Sequence, residues 1–589
     1  MQYEKNKEIV IGMMLEDLQA EFTMELIQST VNAIPNNSNI RLVVLPGKYD
    51  NHKGSAILGE YKQVYNSIFK YAEICDFDGL IIHLGSINIQ EHEELVEQKL
   101  ERFKNIPKIF IASDIKNHTT VNYDNETGIR EAVEILVNAR GLSNICMLGG
   151  RDDNKDARAR KEIFVKCLKE NGINFTDNNY AKTDMSPNTE AEAADLLDRN
   201  PDVQAIFCVN DSVASGLYKV MAQRELTPGK DILVFGFDNT RLTTELIPPL
   251  SSIGLSDCTL GQKAIELLIA KINGENPESA VVATRLYGRD SLPHEMYEYS
   301  TLELQNADPA FIYRMFDDCF YRYRSEATDR EAVDLKRLFF EFMSRMLTAL
   351  KNRYMSIEEF KETERMIDKF FEKGALLYTD SAKLIKSVEK LQNGMNESQR
   401  SIGARVMLNR LFLKMKDCAI MAFARDRIKE HISFSMGRDL TRDFMIESTI
   451  FENISKNYVE NVIHNLGTLR LRNAALYMYE KPVIFRSGDE CLFPEHINMI
   501  CVIKSRELYM ISKERQQCLL REIFRRPELN KKCKGFAAFP VSYGEYIYGL
   551  FLIQMTPSVY GRGEYISLQL GRSFYLNSLY EKLRPEGDN

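Results

Sequence analysis

The feature that most constrains this chain is the alternation of elements between Ala205 and Asn239. Ala205 to Val209 is a short apolar run closed by Asn210-Asp211, and an amphipathic segment follows with Val213, Leu217, Val220 and Met221 at helical spacing. After the turn Thr227-Pro228-Gly229, a second apolar run, Ile232 to Phe235, closes on Gly236-Phe237-Asp238-Asn239. Strand, helix, strand, with both strands apolar throughout, is the unit that builds a parallel sheet covered on two faces. Ligands of such open sheets lie outside the carboxyl ends of the strands. Asn210, Asp211 and Asp238 are therefore expected to project into one shared region.

The same alternation runs over residues 8–294. Strands are expected at Ile9–Met14, Ile40–Leu45, Asp78–Ile82, Ile106–Ile111 and Ile145–Gly150, with helices from Phe22 to Ile34, Gly128 to Arg140 and Ala157 to Asn171. Gly141 and Gly172 stop the last two as C′ residues do. These are too many strands for one compact sheet, so two lobes are expected. A chain of 589 residues has room for further domains. From about Asp308 to Met445 the pattern becomes nearly continuous helix, with apolar stripes such as Phe339, Phe342, Met343, Met346 and Leu384, Val388, Leu391, Met395. This segment either pairs with a second subunit as a connector or closes on itself as a bundle, with possible breaks at Gly394 and Gly403. From about Thr449 to Leu583 strands return: Leu476–Tyr479, Ile500–Ile503, Gly535–Val541 and Tyr546–Met555. Ser542-Tyr543-Gly544-Glu545 turns the last two into a hairpin, and a helix from Gly563 to Leu583 closes the chain.

Six motifs stand in order in the first half: Ile9–Leu15, Asp78-Gly79-Leu80-Ile81, Asp124-Asn125-Glu126-Thr127-Gly128, Ala157-Arg158-Ala159-Arg160, Asn210-Asp211 and Gly236-Phe237-Asp238-Asn239. Together they resemble the effector-binding domain of the lac-repressor family, which is similar to periplasmic sugar-binding proteins. Pro248–Ile253, Gly261-Gln262 and Arg285–Ser291 extend the match over about half the chain. The resemblance implies two Rossmann-like lobes joined by three crossings, with a ligand in the cleft and closure as the signal. It also implies the ligand-contacting positions. Asp238 matches the family's ligand-binding aspartate, and a carboxylate accepting two hydrogen bonds suits vicinal hydroxyls; its plainer role is to cap a turn. One of Asn210 and Asp211 caps the helix that follows; the family gives Asn210 the ligand and leaves Asp211 structural. Arg160, with Arg158 as the alternative in register, offers a guanidinium fork. Phe22 fills an aromatic position after the first strand, Met185 a cleft position, and Asp114 and Tyr123 follow strand ends. Glu16 and Asp17, beside the cleft mouth, disfavour an anionic ligand unless Arg160 offsets them.

The C-terminal pattern resembles a GAF-type sensor domain. In bacterial proteins of similar arrangement a diguanylate cyclase domain often follows, but no Gly-Gly-Asp/Glu-Glu-Phe string occurs here. The expected architecture is thus α/β: a two-lobed periplasmic-binding-protein-like domain of parallel sheets (8–294), an α-helical connector or bundle (308–445) and an α+β GAF-like domain (449–583).

Several classes are disfavoured. The net charge of −8 opposes an obligate duplex binder, and only about seven residues precede the first strand, so DNA binding through an N-terminal helix-turn-helix is not expected. Small basic clusters at Arg470–Arg472, Arg525-Arg526 and Lys531-Lys532 keep a DNA role for the C-terminal half as an alternative. No secretory h-region or membrane-length apolar run appears. Eleven cysteines, Cys491, Cys501, Cys518 and Cys533 among them, are scattered without CxxC spacing, which reads as reduced thiols in a cytoplasmic protein. No phosphate loop, HExxH or GxSxG occurs, and His83, which follows a strand, reads as a hydrogen-bonded core histidine. The expectation is a non-enzymatic sensor of a small polar molecule, a sugar foremost. It needs neither cofactor nor metal and, as a homodimer, relays closure through the helical segment and the GAF-like domain to a downstream signalling protein, with in-trans input to a separate cyclase or kinase as a further alternative.

Overall fold

The computed structural model describes residues 8–583 apart from short stretches, the longest being 49–55, 84–102, 321–329 and 449–457. The chain divides into two compact units. The first comprises Met1–Asn122, Thr259–Val281 and His431–Asn589, the second Tyr123–Cys258 and Val282–Glu430. The chain therefore passes between units four times, and the fourth passage lies inside one helix, Ile402–Glu447.

In chain order the strands are β1 (Ile9–Glu16), β2 (Ile40–Gly47), β3 (Gly79–His83), β4 (Lys108–Ile111), β5 (Thr120–Tyr123), β6 (Ile145–Gly149), β7 (Tyr180–Lys182), β8 (Ala205–Cys208), β9 (Leu233–Phe237), β10 (Ser251–Leu255), β11 (Ala280–Val282) and β12 (Thr284–Tyr287). The C-terminal part adds β13 (Asn473–Ile484), β14 (His496–Lys504), β15 (Glu507–Met510), β16 (Gln517–Leu519), β17 (Gly535–Tyr543) and β18 (Tyr546–Gln554).

The first unit holds one 12-stranded sheet in the order β11-β5-β4-β3-β1-β2-β17-β18-β13-β14-β15, with β16 beside β14. Its N-terminal strands are parallel, as their unbroken apolar runs require. Its C-terminal strands are antiparallel, and the β17–β18 hairpin turns where expected. The two parts join edge to edge: β17 pairs in parallel with β2, Gly535 opposite Leu42 and Ala537 opposite Val44. The Leu42 N–H donates to Lys534 O at 2.7 Å. One apolar core then runs under both parts, from Val43, Ile68 and Tyr71 to Phe524, Phe536 and Leu552. The sequence reading expected a separate GAF-like domain at 449–583; its sheet is instead continuous with that of the first lobe.

Buried polar groups fix the seam. The Arg41 side chain, 3% exposed, pairs with Glu8 at 2.7 Å and donates to the Phe524 carbonyl. Arg525 donates to Glu8 O and Asp76 O and pairs with Asp78 at 2.6 Å. Asp78 in turn accepts from the Val10 N–H. Tyr71 and Tyr479 share a hydroxyl hydrogen bond of 2.7 Å.

The second unit holds a six-stranded sheet, β12-β10-β9-β8-β6-β7, parallel except for β12. Phe164, Phe207 and Phe235 form its centre, the latter two stacked with ring centroids 4.7 Å apart. To this the unit adds helices Pro309–Cys319, Arg330–Asn352, Ile357–Glu372, Ser381–Ser398 and the start of Ile402–Glu447. Their stripes close on one another around Phe316, Phe342, Phe370, Leu391 and Leu411, so this segment has a bundle core of its own. Gly394 lies inside a helix, not at a break, whereas Gly403 is the second residue of Ile402–Glu447, next to the break that follows Ser398. A Cβ at Gly394 would meet the Tyr299 carbonyl at 2.5 Å, so close packing, not helix ending, explains that glycine.

Truncation of Arg41 leaves Glu8 and the Phe524 carbonyl without a buried partner. Arg41→Ala should destabilise the first unit by about 3 kcal/mol. Hydrogen exchange should show amides of residues 42–44 and 535–537 losing protection together; unchanged protection of the Leu42 amide would show that this pair does not hold the seam.

Candidate functional site

The carboxyl ends of β6, β8 and β9 in the second unit carry the cluster that the strand rule anticipated. Helix Lys155–Glu170 starts under an Asn154 cap, which places Arg160 one turn and a half inside it. The Arg160 side chain is 3% exposed. Its guanidinium donates to Asn125 Oδ1 at 3.2 Å, to the Val209 carbonyl at 2.8 Å and to Asp238 Oδ1 at 3.0 Å. Its Cζ lies 3.6 Å from the Phe237 ring centroid and 5.6 Å from that of Tyr123, two cation–π contacts. Tyr123 meets Phe237 edge to face at 6.0 Å.

Asp238 leaves β9 with φ 95°, and Asn239 follows at φ 50°. Met185 has φ 69°, and its carbonyl accepts from Asn210 Nδ2 at 3.1 Å. Three non-glycine residues in the left-handed region beside one another's strand ends are costly and occur where surrounding contacts hold them. Here the Asp238 N–H bonds to Ile253 O and the Asn239 N–H to Ser252 Oγ. Asp238 gives Oδ1 to Arg160, while its Oδ2 accepts no hydrogen bond from the described residues. Burial pushes the Asp238 carboxyl above its ordinary range, Asp156 adds to this, and Arg160 opposes both. What results is an oriented acceptor with one lone-pair face unclaimed, which suits a hydroxyl or N–H donor.

Asn210 carries the helix cap, Oδ1 accepting from Val213 N at 2.9 Å, with its amide on Met185 O. The cap thus falls to the residue expected to face the ligand, while Asp211, expected to be structural, is buried beneath it. Asp211 Oδ2 accepts from the Thr240 N–H and hydroxyl, and Oδ1 from the Ser252 hydroxyl. Burial pushes the Asp211 carboxyl well up, with the charge of Asp238 adding to it. Gly236 makes room for this acid: a Cβ there would lie 2.4 Å from Asp211 Oδ1.

Tyr123, Arg160, Met185, Asn210 and Asp238 therefore come together in one unit. Phe22 belongs to the other, half-buried with its ring 5.5 Å from that of His83. Asp114 and Asp17 lie outside the described residues, as does Cys491. Arg158 turns outward and donates to the Asp152 carbonyl; a 100° step per residue separates it from Arg160. Sequence reasoning missed Asn125, Asp156 and Phe237 as partners of the pair, although Asn125 and Phe237 stand in two of the motifs. Nothing in spacing alone says that a ring beside an acid will stack on an arginine from another helix. Among the described residues no group of three or more His, Cys, Asp or Glu could hold a metal ion, and no helix is long and apolar enough to cross a membrane. The ten described cysteines are buried or half-buried, and burial raises the Cys75 and Cys208 thiols well above their ordinary value.

A carboxyl whose folded pKa lies above its unfolded value binds its proton more tightly when folded, so it adds stability as pH falls through the folded pKa. Asp211 and Asp238, both shifted upward, should therefore raise the thermal midpoint of the second unit as pH falls toward the ordinary carboxylate range. Asp211→Asn, which keeps the acceptor for Thr240, should flatten that slope; a profile parallel to wild type would assign the effect elsewhere. Arg160→Ala, which strands a buried carboxylate, should cost about 3–5 kcal/mol in thermal or denaturant unfolding.

Residues 136–292 match the model of a periplasmic binding protein-like domain. The chain is similar to catabolite control protein A of Priestia megaterium, with 28% identity over 37% of this chain and 63% of the relative. It is similar to the HTH-type transcriptional repressor PurR of Vibrio atlanticus at 27% identity over 35% of this chain and 60% of the relative. The ribose operon repressor of Escherichia coli K12 is 33% identical over 24% of this chain and 43% of the relative. The chain thus spans less than two thirds of the length of each. Among solved structures, the lac repressor dimer bound to operator and the anti-inducer ONPF covers 49% of this chain and 96% of its own, at 22% identity and a TM-score of 0.41. The chain thus contains a periplasmic binding protein-like domain over residues 136–292. The expectation that DNA is not a partner finds no support in these relatives, two of which are named as repressors.

Proposed function

We propose that this protein is a non-enzymatic regulator that senses a small polar molecule, a sugar foremost, at the face formed by Asp238, Arg160, Asn210, Met185 and Tyr123. The observation that carries the reading is the Arg160–Asp238 pair: a carboxylate held in a left-handed turn, one oxygen engaged and the other unclaimed. Three of the five guanidinium donors of Arg160 are in use, so two can still reach ligand oxygens. The edge of Tyr123 that remains exposed suits the apolar face of a sugar ring. Phe22 and Asp114 are retained as proposed contacts from the other lobe.

A route out of this face supports a regulatory output. Asn239, next to Asp238, accepts from Arg289 at 2.7 Å, and the neighbouring Asp290 pairs with Lys386 on helix Ser381–Ser398. The face and the helical bundle thus share contacts within one unit. The strand order of 473–554, antiparallel with flanking helices, supports the GAF-like reading of the C-terminal part. A homodimer acting on a downstream signalling protein remains the proposed assembly. Transcription regulation is a second reading, favoured by the repressor relatives, and a salt-dependent shift of duplex DNA by the whole chain would support it over partner signalling.

A thermal-shift screen of sugars, nucleosides and amino acids on the whole chain tests the first reading. A ligand at 100 times its Kd should add about 2.7 kcal/mol. Asp238→Asn and Arg160→Lys should each weaken that response at least about tenfold, since either breaks a charged hydrogen bond of about 1.4 kcal/mol or more. An unchanged response in Asp238→Asn would remove this face as the site.

A further inference from the structure

A second cavity lies far from that face in sequence and wholly inside the first unit. Its volume is about 770 Å³, and its walls are the end of helix Ile402–Glu447 and the start of helix Gly563–Leu583. That volume falls within the range of small-molecule sites, roughly 300–1,000 Å³. Wall residues recur at three- and four-residue steps: Phe434, Arg438, Arg442 and Met445 on one helix, Tyr565, Gln569 and Arg572 on the other. Phe434 and Tyr565 are half exposed, at 50% and 51%. The deep polar groups are already satisfied: Thr441 donates to Gly437 O, and Gln569 to the Ser448 hydroxyl.

The charge on the walls is one-sided. Arg438, Arg442, Arg562 and Arg572 line the cavity and no carboxylate does. Arg442 is paired with Asp439 and Asp443, and Arg562 donates to Gly437 O at 2.9 Å. Arg438 and Arg572 have no salt-bridge partner among the described residues, and the Arg562 Nε is buried without a hydrogen bond. With Arg442 neutralised by its two aspartates, Arg438, Arg562 and Arg572 leave an excess of positive charge around an apolar hollow, and an anion between them relieves their repulsion. A second copy seated here about a two-fold axis would set arginines against arginines.

We infer that this cavity binds a small amphipathic anion free in solution, with an acidic head among Arg438, Arg562 and Arg572 and an apolar body against Phe434, Met445 and Tyr565. Guanidinium forks pair with planar carboxylates through two parallel hydrogen bonds, which makes a medium-chain carboxylate the simplest member of the class. The site is separate from the Asp238 face and stands whether or not that face binds a sugar.

Isothermal titration of the whole chain with decanoate tests it, against decanol and propionate as the tail alone and the head alone. Decanoate should bind saturably with one site per chain, at least about tenfold more tightly than either control. Arg438→Gln/Arg572→Gln, both on exposed side chains, should weaken decanoate at least about tenfold, and Tyr565→Ser should weaken it while leaving the thermal midpoint unmoved. Equal binding by the double variant or equal binding of decanol would overturn the proposal. So would a chain that ignores decanoate yet sediments with phosphatidylglycerol vesicles, or a dimer in light scattering that Phe434→Asp splits and that takes up no decanoate.

Discussion

Everything at the Asp238 face depends on one guanidinium group. Arg160 reaches from a helix to three acceptors that belong to three different elements: the start of the helix at Asn125, the end of β8 at Val209 and the turn after β9 at Asp238. A lysine has three donors but on a single nitrogen, whereas the planar fork spreads its donors over three nitrogens, reaches all three acceptors and lies over Phe237. Because the group is buried, its charge must be matched, and the match fixes Asp238 in a backbone conformation it would not choose alone. Asp211 sits underneath and ties Thr240 and Ser252 to the same turn. Rigidity of this kind is what a binding surface needs, since a preorganised acceptor loses little entropy when a ligand arrives.

The first unit rests on a different constraint. A sheet edge exposes unpaired N–H and C=O groups, and β2 would be such an edge. It is closed by β17, from a segment almost five hundred residues later in the chain. Parallel pairing alone gives few bonds, so buried charges finish the contact: Arg41 and Arg525 each bridge the N-terminal strands and the C-terminal part. The shared apolar core beneath means that the C-terminal part and the N-terminal strands fold as one body.

Much of the second unit was legible in the sequence. Unbroken runs of Ile, Val, Leu and Phe gave the parallel strands, helix stops at Gly141 and Gly172 appear with φ of 68° and 75°, and the rule for strand ends placed Asp238 and Asn210 together. Which of Asn210 and Asp211 caps the helix was not legible. Both are short polar residues after a strand, and which one caps depends on the angle at which the strand delivers the chain to the helix. Asn125 and Phe237 were likewise invisible as partners, because their contact to Arg160 is made across elements.

Local pattern therefore determined the elements, their type and most of their ends, since periodicity and turn chemistry act over a few residues. It also determined which side chains stand at strand ends. Tertiary structure alone decided that the helices of 308–419 close around their own phenylalanines, that β17 finds β2, and that Arg160 is a positioner of Asp238. Each of these is set by contacts between distant segments, whose free energy comes from burial and from matching charge in low dielectric, and neither quantity can be read from one stretch of chain.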